Sequence, residues 1–456
     1  MFLTNITMIK KALFTLALCL QASLYGQTDK VAEAQHTILG QKAAGYAHGQ
    51  NVRSNTAPGA QWFPDAGLGL FIHFGLAAEH GGIDLSWGMY ANKNWEDGEL
   101  APSEYWQIAE TWNPDQFDAA SMAKQAKEAG FKYMVFTTKH HDGYTMWPSE
   151  YGEIGVKKFL GGRDLVAEFV EACRDNDLKV GLYFSPPDWY FDREYINWDY
   201  SGQSIFGLSH ESLDKLPIAS KAHEKNKTEL TRGQLTELLT KYGTIDLLWF
   251  DGGKAEMSND EVRKLQPNII INRRNGEAGD YADSEGVIPS TRFDTWFEAC
   301  DPCWPERWWS YSYSDRMASA NSVIEKLILM RTWGGNYLAN VGPKGNGEIP
   351  EEALEAWKEM ATWMNHSGES IFEVSAGDFP EKSNQPITWK GDDIAYVHAY
   401  PNFHKEIEIQ NDKEPKQITL LRTGDQLQYK MENGLLKVNI PPKLRSRMVD
   451  TIKIVW

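Results

Sequence analysis

Asp251 closes the apolar run at 245–250 and is followed by two glycines. Such a run reads as a buried strand, and an acid at its end sits where parallel α/β folds keep their reacting groups, at the mouth of the sheet. Capping the next turn is the other use for an aspartate so placed. Further polar groups fall at the ends of other apolar runs: His73, the adjacent pair His140 and His141, Tyr183 and Arg274. One histidine on an apolar strand is ordinarily a satisfied structural residue, whereas three at two successive strand ends suit a pocket. Zinc ligation by the pair is awkward, because neighbours on a strand point to opposite faces. No metal is therefore assigned, and hydrogen bonding to sugar hydroxyls is the simpler use.

Glycoside hydrolysis needs two carboxyl groups, one to attack or to activate water and one to protonate the departing oxygen. Asp251 supplies the first. Glu285 and Glu298 are candidates for the second, and the residues alone do not choose between them. Glu285 lies near the end of an acidic, glycine-rich stretch, 275–286, which reads as a mobile loop of solvated charge beside the site.

The elements that must position these groups alternate. Strand-like runs at 68–75, 132–143, 179–185, 245–250, 269–274 and 336–343 are interleaved with helical patterns. Asp118 and Asp164 stand as N-caps of two of these helices, the second over 164–174. Further helices are expected around 235–239, over 322–331 and from Pro350, the last burying Leu354, Trp357, Ala361 and Met364. This pattern predicts a (β/α)8-like (TIM-type) barrel over 58–373 with its functional groups at one mouth. Beyond 374, short alternating segments separated by Gly, Pro, Asn and Asp predict a C-terminal antiparallel β-sandwich over 374–456. Tyr396 and Tyr400 are spaced as same-face core residues of it.

The chain has 456 residues and a net charge of −17, without a dense Lys/Arg run. That balance excludes nucleic acid as the natural partner. The 18 tryptophans and 19 tyrosines offer flat faces for sugar rings, although large cores use them too. Lys10 and Lys11 precede a short apolar stretch, 12–20, so residues 1–26 read as a signal peptide, followed by an extended segment at 27–57. The stretch is too short to span a membrane, which implies export to the periplasm or beyond; anchoring through Cys19 is the lesser alternative. Of the remaining cysteines, Cys300 and Cys303 could pair in an oxidising compartment and Cys173 reads as buried.

Taken together, Phe71-Ile-His-Phe-Gly75, Thr138-Lys-His-His-Asp-Gly143, Trp147-Pro-Ser149, Gly181-Leu-Tyr-Phe-Ser185, Trp249-Phe-Asp-Gly252 and Asn272-Arg-Arg274 form an ordered series. It continues through Gly279-Asp-Tyr281 with Glu285, Phe297-Glu-Ala-Cys300, Trp309-Ser-Tyr311 and Asn340-Val-Gly-Pro343. The chain resembles the α-L-fucosidases of glycoside hydrolase family 29 over about residues 60–370. The resemblance implies a retaining exo-glycosidase that needs no cofactor, acts on a fucosylated oligosaccharide or glycoconjugate, and uses Asp251 as nucleophile. It implies that His73, His140 and His141 bind the sugar hydroxyls, with Tyr183, Trp249 and Arg274 at other pocket positions. Trp87 matches the family's tryptophan loop, whose usual Glu-Trp-Tyr pattern is changed here. Glu285 matches one position used for the acid/base and Glu298 the other, with Glu285 slightly ahead. Three alternatives stand beside this reading: an enzyme of the same mechanism for another L-sugar such as an α-L-galactoside, a catalytically silent sugar-binding barrel, and a metal-dependent hydrolase built on the histidines. No oligomeric state is assigned.

Overall fold

The structure, a computed structural model, describes residues 52–92, 100–289, 291–302, 308–313 and 317–456. The expected signal peptide, Cys303 and most of the tryptophan-rich stretch around it lie outside the described residues. No helix among the described residues is long and apolar enough to cross a membrane.

Eight parallel strands form the first sheet: β1 (Leu68–Ile72), β2 (Tyr133–Lys139), β3 (Lys179–Phe184), β4 (Leu247–Phe250), β5 (Ile270–Ile271), β6 (Ala282–Glu285), β7 (Phe297–Asp301) and β8 (Asn336–Val341). Their order is β5-β4-β3-β2-β1-β8-β7-β6. The two ends meet through a parallel bridge between Asn272 and Tyr281 and a 2.7 Å hydrogen bond from the Asp280 N–H to the Ile271 carbonyl, so the sheet curls into a barrel. Helices Ala119–Glu128 and Leu165–Asp175 begin at the side chains of Asp118 and Asp164, which accept from Ser121 and Ala167. Each satisfies an otherwise unpaired helix N–H.

Alternation along the strands produces two cores. One face packs against the surrounding helices; the other fills the barrel with Phe71, Tyr133, Val135, Tyr183, Leu247, Trp249, Ile270, Tyr281, Cys300 and Leu338. Ala60 and Phe63, from the turns Pro58–Ala60 and Phe63–Asp65, join this inner cluster and stop the end of the barrel opposite the site.

Some expectations need correction or extension. Residues 275–286 are not a mobile loop: they include β6, and Asp280 and Asp283 are 2% exposed. Their charges are held by Arg263, Arg273 and Arg274, which lets an acidic strand enter the interior. The strand expected over 269–274 is only β5, because the Asn272 side chain bonds both the N–H and the carbonyl of Phe250 and the chain then turns at Arg273–Asn275. The helix around 235–239 is the end of a longer one, Lys221–Lys241, whose first half is polar and largely exposed. In the helix from Glu351 to Ser367 the buried stripe centres on Ala353, Trp357, Met360 and Trp363, with Leu354, Ala361 and Met364 flanking it.

The C-terminal part folds as two antiparallel sheets, ordered β13-β16-β11-β10-β9 and β12-β15-β14. The strands are β9 (Ser375–Ala376), β10 (Ile387–Lys390), β11 (Ile394–Ala399), β12 (Ile407–Gln410), β13 (Gln417–Leu420), β14 (Tyr429–Glu432), β15 (Leu435–Val438) and β16 (Asp450–Val455). Val397, Ile409, Ile418, Leu436 and Ile454 pack between them. Tyr396 and Tyr400 share a different face from the expected sandwich core: their hydroxyls donate to Glu369 and to the Glu325 carbonyl, on the barrel side.

Candidate active site

Side chains two residues apart on a strand share a face, and this parity builds the site. Phe71 and His73, and Trp249 and Asp251, each continue an inward-facing series one residue past the end of a strand, while Asp283 and Glu285 carry theirs to the last residue of β6. A cavity opens where these series emerge, lined by Phe71, His73, Leu85, Trp87, His140, His141, Tyr183, Trp249, Asp251, Glu285 and Trp309. It holds about 440 Å³, open solvent at its mouth included. Eight of the ten residues singled out in the sequence stand on this lining. Arg274 lies just behind it, and Glu298 lies below it inside the barrel.

Asp251 is positioned by two donors. The Tyr183 hydroxyl reaches Oδ2 at 2.9 Å and Arg274 Nη1 reaches Oδ1 at 3.0 Å. Both stabilise the carboxylate form. Burial and the neighbouring Asp251 charge push the Tyr183 hydroxyl well above its ordinary range, so it remains a donor. The same Arg274 Nη1 also donates to Glu285 Oε2 at 2.7 Å, while its Nε is held by Asp283 at 2.8 Å. One nitrogen thus ties the two carboxylates together across the cavity. Glu298 instead accepts from Tyr133 Oη (2.6 Å), Trp249 Nε1 (3.0 Å) and Tyr281 Oη (3.1 Å) and is 0% exposed. It is absent from the cavity lining, and of its three donors Trp249 is on that lining.

Each histidine is steered by a polar neighbour. His73 Nδ1 lies 2.6 Å from Asn340 Oδ1, and the Asn340 amide is oriented by donating to the Trp309 carbonyl. The amide oxygen can only accept, so Nδ1 carries the proton and Nε2 is the acceptor. Burial pushes His73 down to about 4, against the opposing Asn340 bond and Asp251 charge, so the ring stays neutral. His140 Nδ1 meets Ser86 Oγ and His141 Nδ1 meets Ser185 Oγ, each at 2.6 Å. Strand alternation would have separated these two rings, but β2 ends at Lys139 and the chain turns. Their centroids are 4.1 Å apart, and ligand atoms of His140, His141 and Asp251 lie within 4.8 Å of one another, a spacing at which a cation can be held. Trp87, in the turn Leu85–Met89, stands edge-on to His141 at 5.5 Å.

The sequence reading missed Phe71, Leu85, Trp309, Asn340 and the two serines as site residues. Phe71 and Asn340 could have been found by counting two positions along β1 and β8. Leu85 has a left-handed backbone, φ 53°, and comes from a turn; nothing local announces it.

The family model described as alpha-L-fucosidase matches residues 35–369. The tissue alpha-L-fucosidase of Mus musculus is 27% identical over 406 residues, covering 80% of this chain and 82% of that protein. Among solved structures, alpha-L-fucosidase isoenzyme 1 from Paenibacillus thiaminolyticus superposes with a TM-score of 0.74 at 28% identity, over 87% of this chain and 98% of that one. An alpha-L-fucosidase from Bacteroides thetaiotaomicron, trapped as a covalent intermediate with 2-fluoro-fucosyl fluoride, gives 0.73 at 27% identity, over 90% and 98%. With a family model spanning nearly the whole barrel, the chain belongs to the α-L-fucosidase family of glycoside hydrolases.

Proposed function

We propose that the cavity releases terminal α-L-fucose from fucosylated oligosaccharides or glycoconjugates with retention of configuration, Asp251 serving as nucleophile and Glu285 as acid/base. The observation that carries this reading is the single Arg274 nitrogen touching both carboxylates. The two oxygens can be no further apart than those contact distances laid end to end. That is below the ~6.5–9.5 Å of inverting glycosidases and close to the ~5–5.5 Å of retaining ones. The trapped intermediate of the Bacteroides relative supports the same class. Asp251 attacks the anomeric carbon as Glu285 gives its proton to the glycosidic oxygen, so the aglycone leaves and a glycosyl ester forms. Glu285, now a carboxylate, takes a proton from water, whose oxygen attacks the same carbon and releases Asp251. A cavity stopped below by Trp249 and the barrel interior suits a chain end. The basic and then apolar stretch at residues 10–20 supports export.

Azide separates the two roles. With an aryl α-L-fucoside, Asp251→Ala should be nearly inactive and azide should restore turnover as the inverted fucosyl azide. Glu285→Ala with azide should instead yield the retained product. Full activity of Asp251→Ala sinks the assignment. Running the wild type with EDTA and with an aryl α-L-galactoside tests the metal-dependent and L-galactoside alternatives; unchanged fucoside turnover and weak galactoside turnover are expected.

A further inference from the structure

We infer that Glu298 is a positioning residue: from inside the barrel it fixes the Trp249 indole, and through it the Arg274 guanidinium that joins the two carboxylates. The inference rests on the fucosidase reading of the cavity above it. Glu298 sits on β7 in register with Asp283 of β6 and Asn336 of β8, a full layer beneath the cavity. Its Oε1 accepts from both Trp249 and Tyr281 and its Oε2 from Tyr133. These are three neutral donors from three strands or strand entries converging on one carboxyl group. The barrel makes room for the arrangement, since a Cβ at Gly69 would lie 2.2 Å from the Tyr133 ring. A side chain on β1 at that point would deny Tyr133 its path to Glu298.

What Glu298 holds is the floor of the site. The Trp249 ring stacks on Tyr183 at 5.7 Å and 17° and meets Phe71 edge-on at 5.1 Å, and both neighbours line the cavity. The Arg274 guanidinium lies 4.4 Å above the same indole. An indole has a broad, roughly two-fold torsional preference at χ2, so the torsion by itself does not choose between the two orientations. The Nε1–H bond to Glu298 selects one of them. Burial raises Glu298 to about 7, against its three hydrogen bonds, so below neutrality it is a neutral acid to which glutamine is close in shape.

The experiment compares Glu298→Leu with Glu298→Gln in the full chain, using a fucose-like iminosugar, aryl α-L-fucosides of good and poor leaving groups, and the indole N–H NMR signal of Trp249. Leucine removes the acceptor; glutamine keeps an oxygen for Trp249 while the Tyr133 hydroxyl rotates to accept from its amide. Glu298→Leu should shift the indole signal, weaken the iminosugar and raise KM by about tenfold or more, equally for both leaving groups and without rescue by azide. Glu298→Gln should recover most of that loss. A loss confined to poor leaving groups and repaired by azide would make Glu298 the acid/base and overturn the inference. An unmoved indole signal, or a glutamine variant as damaged as the leucine one, overturns it as well. Should Glu298→Leu fail to fold, Glu298→Asp, which withdraws the oxygens by one methylene, carries the same expectation. The indole signal needs no substrate, so it reads this contact even if the fucosidase reading fails.

Discussion

Gly252 decides by the absence of one methyl group how close Asp251 stands to its neighbours. Its backbone is left-handed, φ 78°, and a Cβ there would lie 2.6 Å from His141 Cε1. That ring is pinned by Ser185 on one side and faces Asp251 Oδ2 at 3.8 Å on the other, so it has little room to yield. Alanine at 252 therefore meets two penalties: roughly 1–2 kcal/mol for the left-handed conformation and displacement of His141 or of the Asp251 backbone. Since misplacement of reacting groups by ~1 Å can cost on the order of a hundredfold in rate, Gly252→Ala should lose far more in kcat/KM than in thermal stability. Equal activity with a lowered Tm would show that His141 moves without consequence. Gly252 thus sets the packing around Asp251, and the turn-cap reading of Asp251 gives way to a side chain held by Tyr183 and Arg274.

Strands β6 and β7 carry Asp283, Glu285 and Glu298, and they are the strands that hydrophobic patterning could not find. β1 to β4 and β8 were legible because their inner and outer faces are both apolar enough to read as buried runs. Ala-Asp-Ser-Glu and Phe-Glu-Ala-Cys-Asp are not, since their polar groups are buried by pairing with residues far away in sequence or on a neighbouring turn. Asp283 shows why. Burial alone would raise its carboxyl, but Arg274 and Arg273 outweigh that and hold it below its ordinary range, with contacts at 2.8 and 3.0 Å. The candidate site was legible at the strand ends, where single polar residues interrupt apolar runs. The choice between Glu285 and Glu298 was not, because it depends on which face of a short polar strand looks into the cavity and how deep each residue lies. Asp283→Asn would remove the carboxylate that Arg273 and Arg274 share, Arg274 keeping Asp251 and Glu285. Breaking a buried pair costs at most about 3–5 kcal/mol, and the change loosens the hold on Arg274 Nε. Chemical denaturation should show that loss, together with a drop in kcat. A variant as stable as the parent would mean that the arginines find other partners.

At the scale of the whole molecule, buried polar contacts help to seat the sandwich on the barrel. Trp363 Nε1 donates to the Val449 carbonyl, the Val449 N–H to Asn321, and Thr388 Oγ1 to the Ser370 carbonyl. His398 lies in this seam, 0% exposed, with Thr388 and Thr451 hydroxyls beside its ring. Burial lowers it to about 3, so the folded chain refuses a proton that the unfolded chain accepts below about 6.5. Between those two values the unfolded state binds more protons, and stability must fall as the pH falls. His398→Asn loses the ring's packing but does not titrate. The variant should be less stable than the parent near pH 7.5, and the gap should narrow steadily as the pH is lowered from 6.5 toward 4. Thermal melts across that range read the difference directly, and a gap independent of pH would place the acid sensitivity of the fold elsewhere, with the buried His73 of the active site the next group to test.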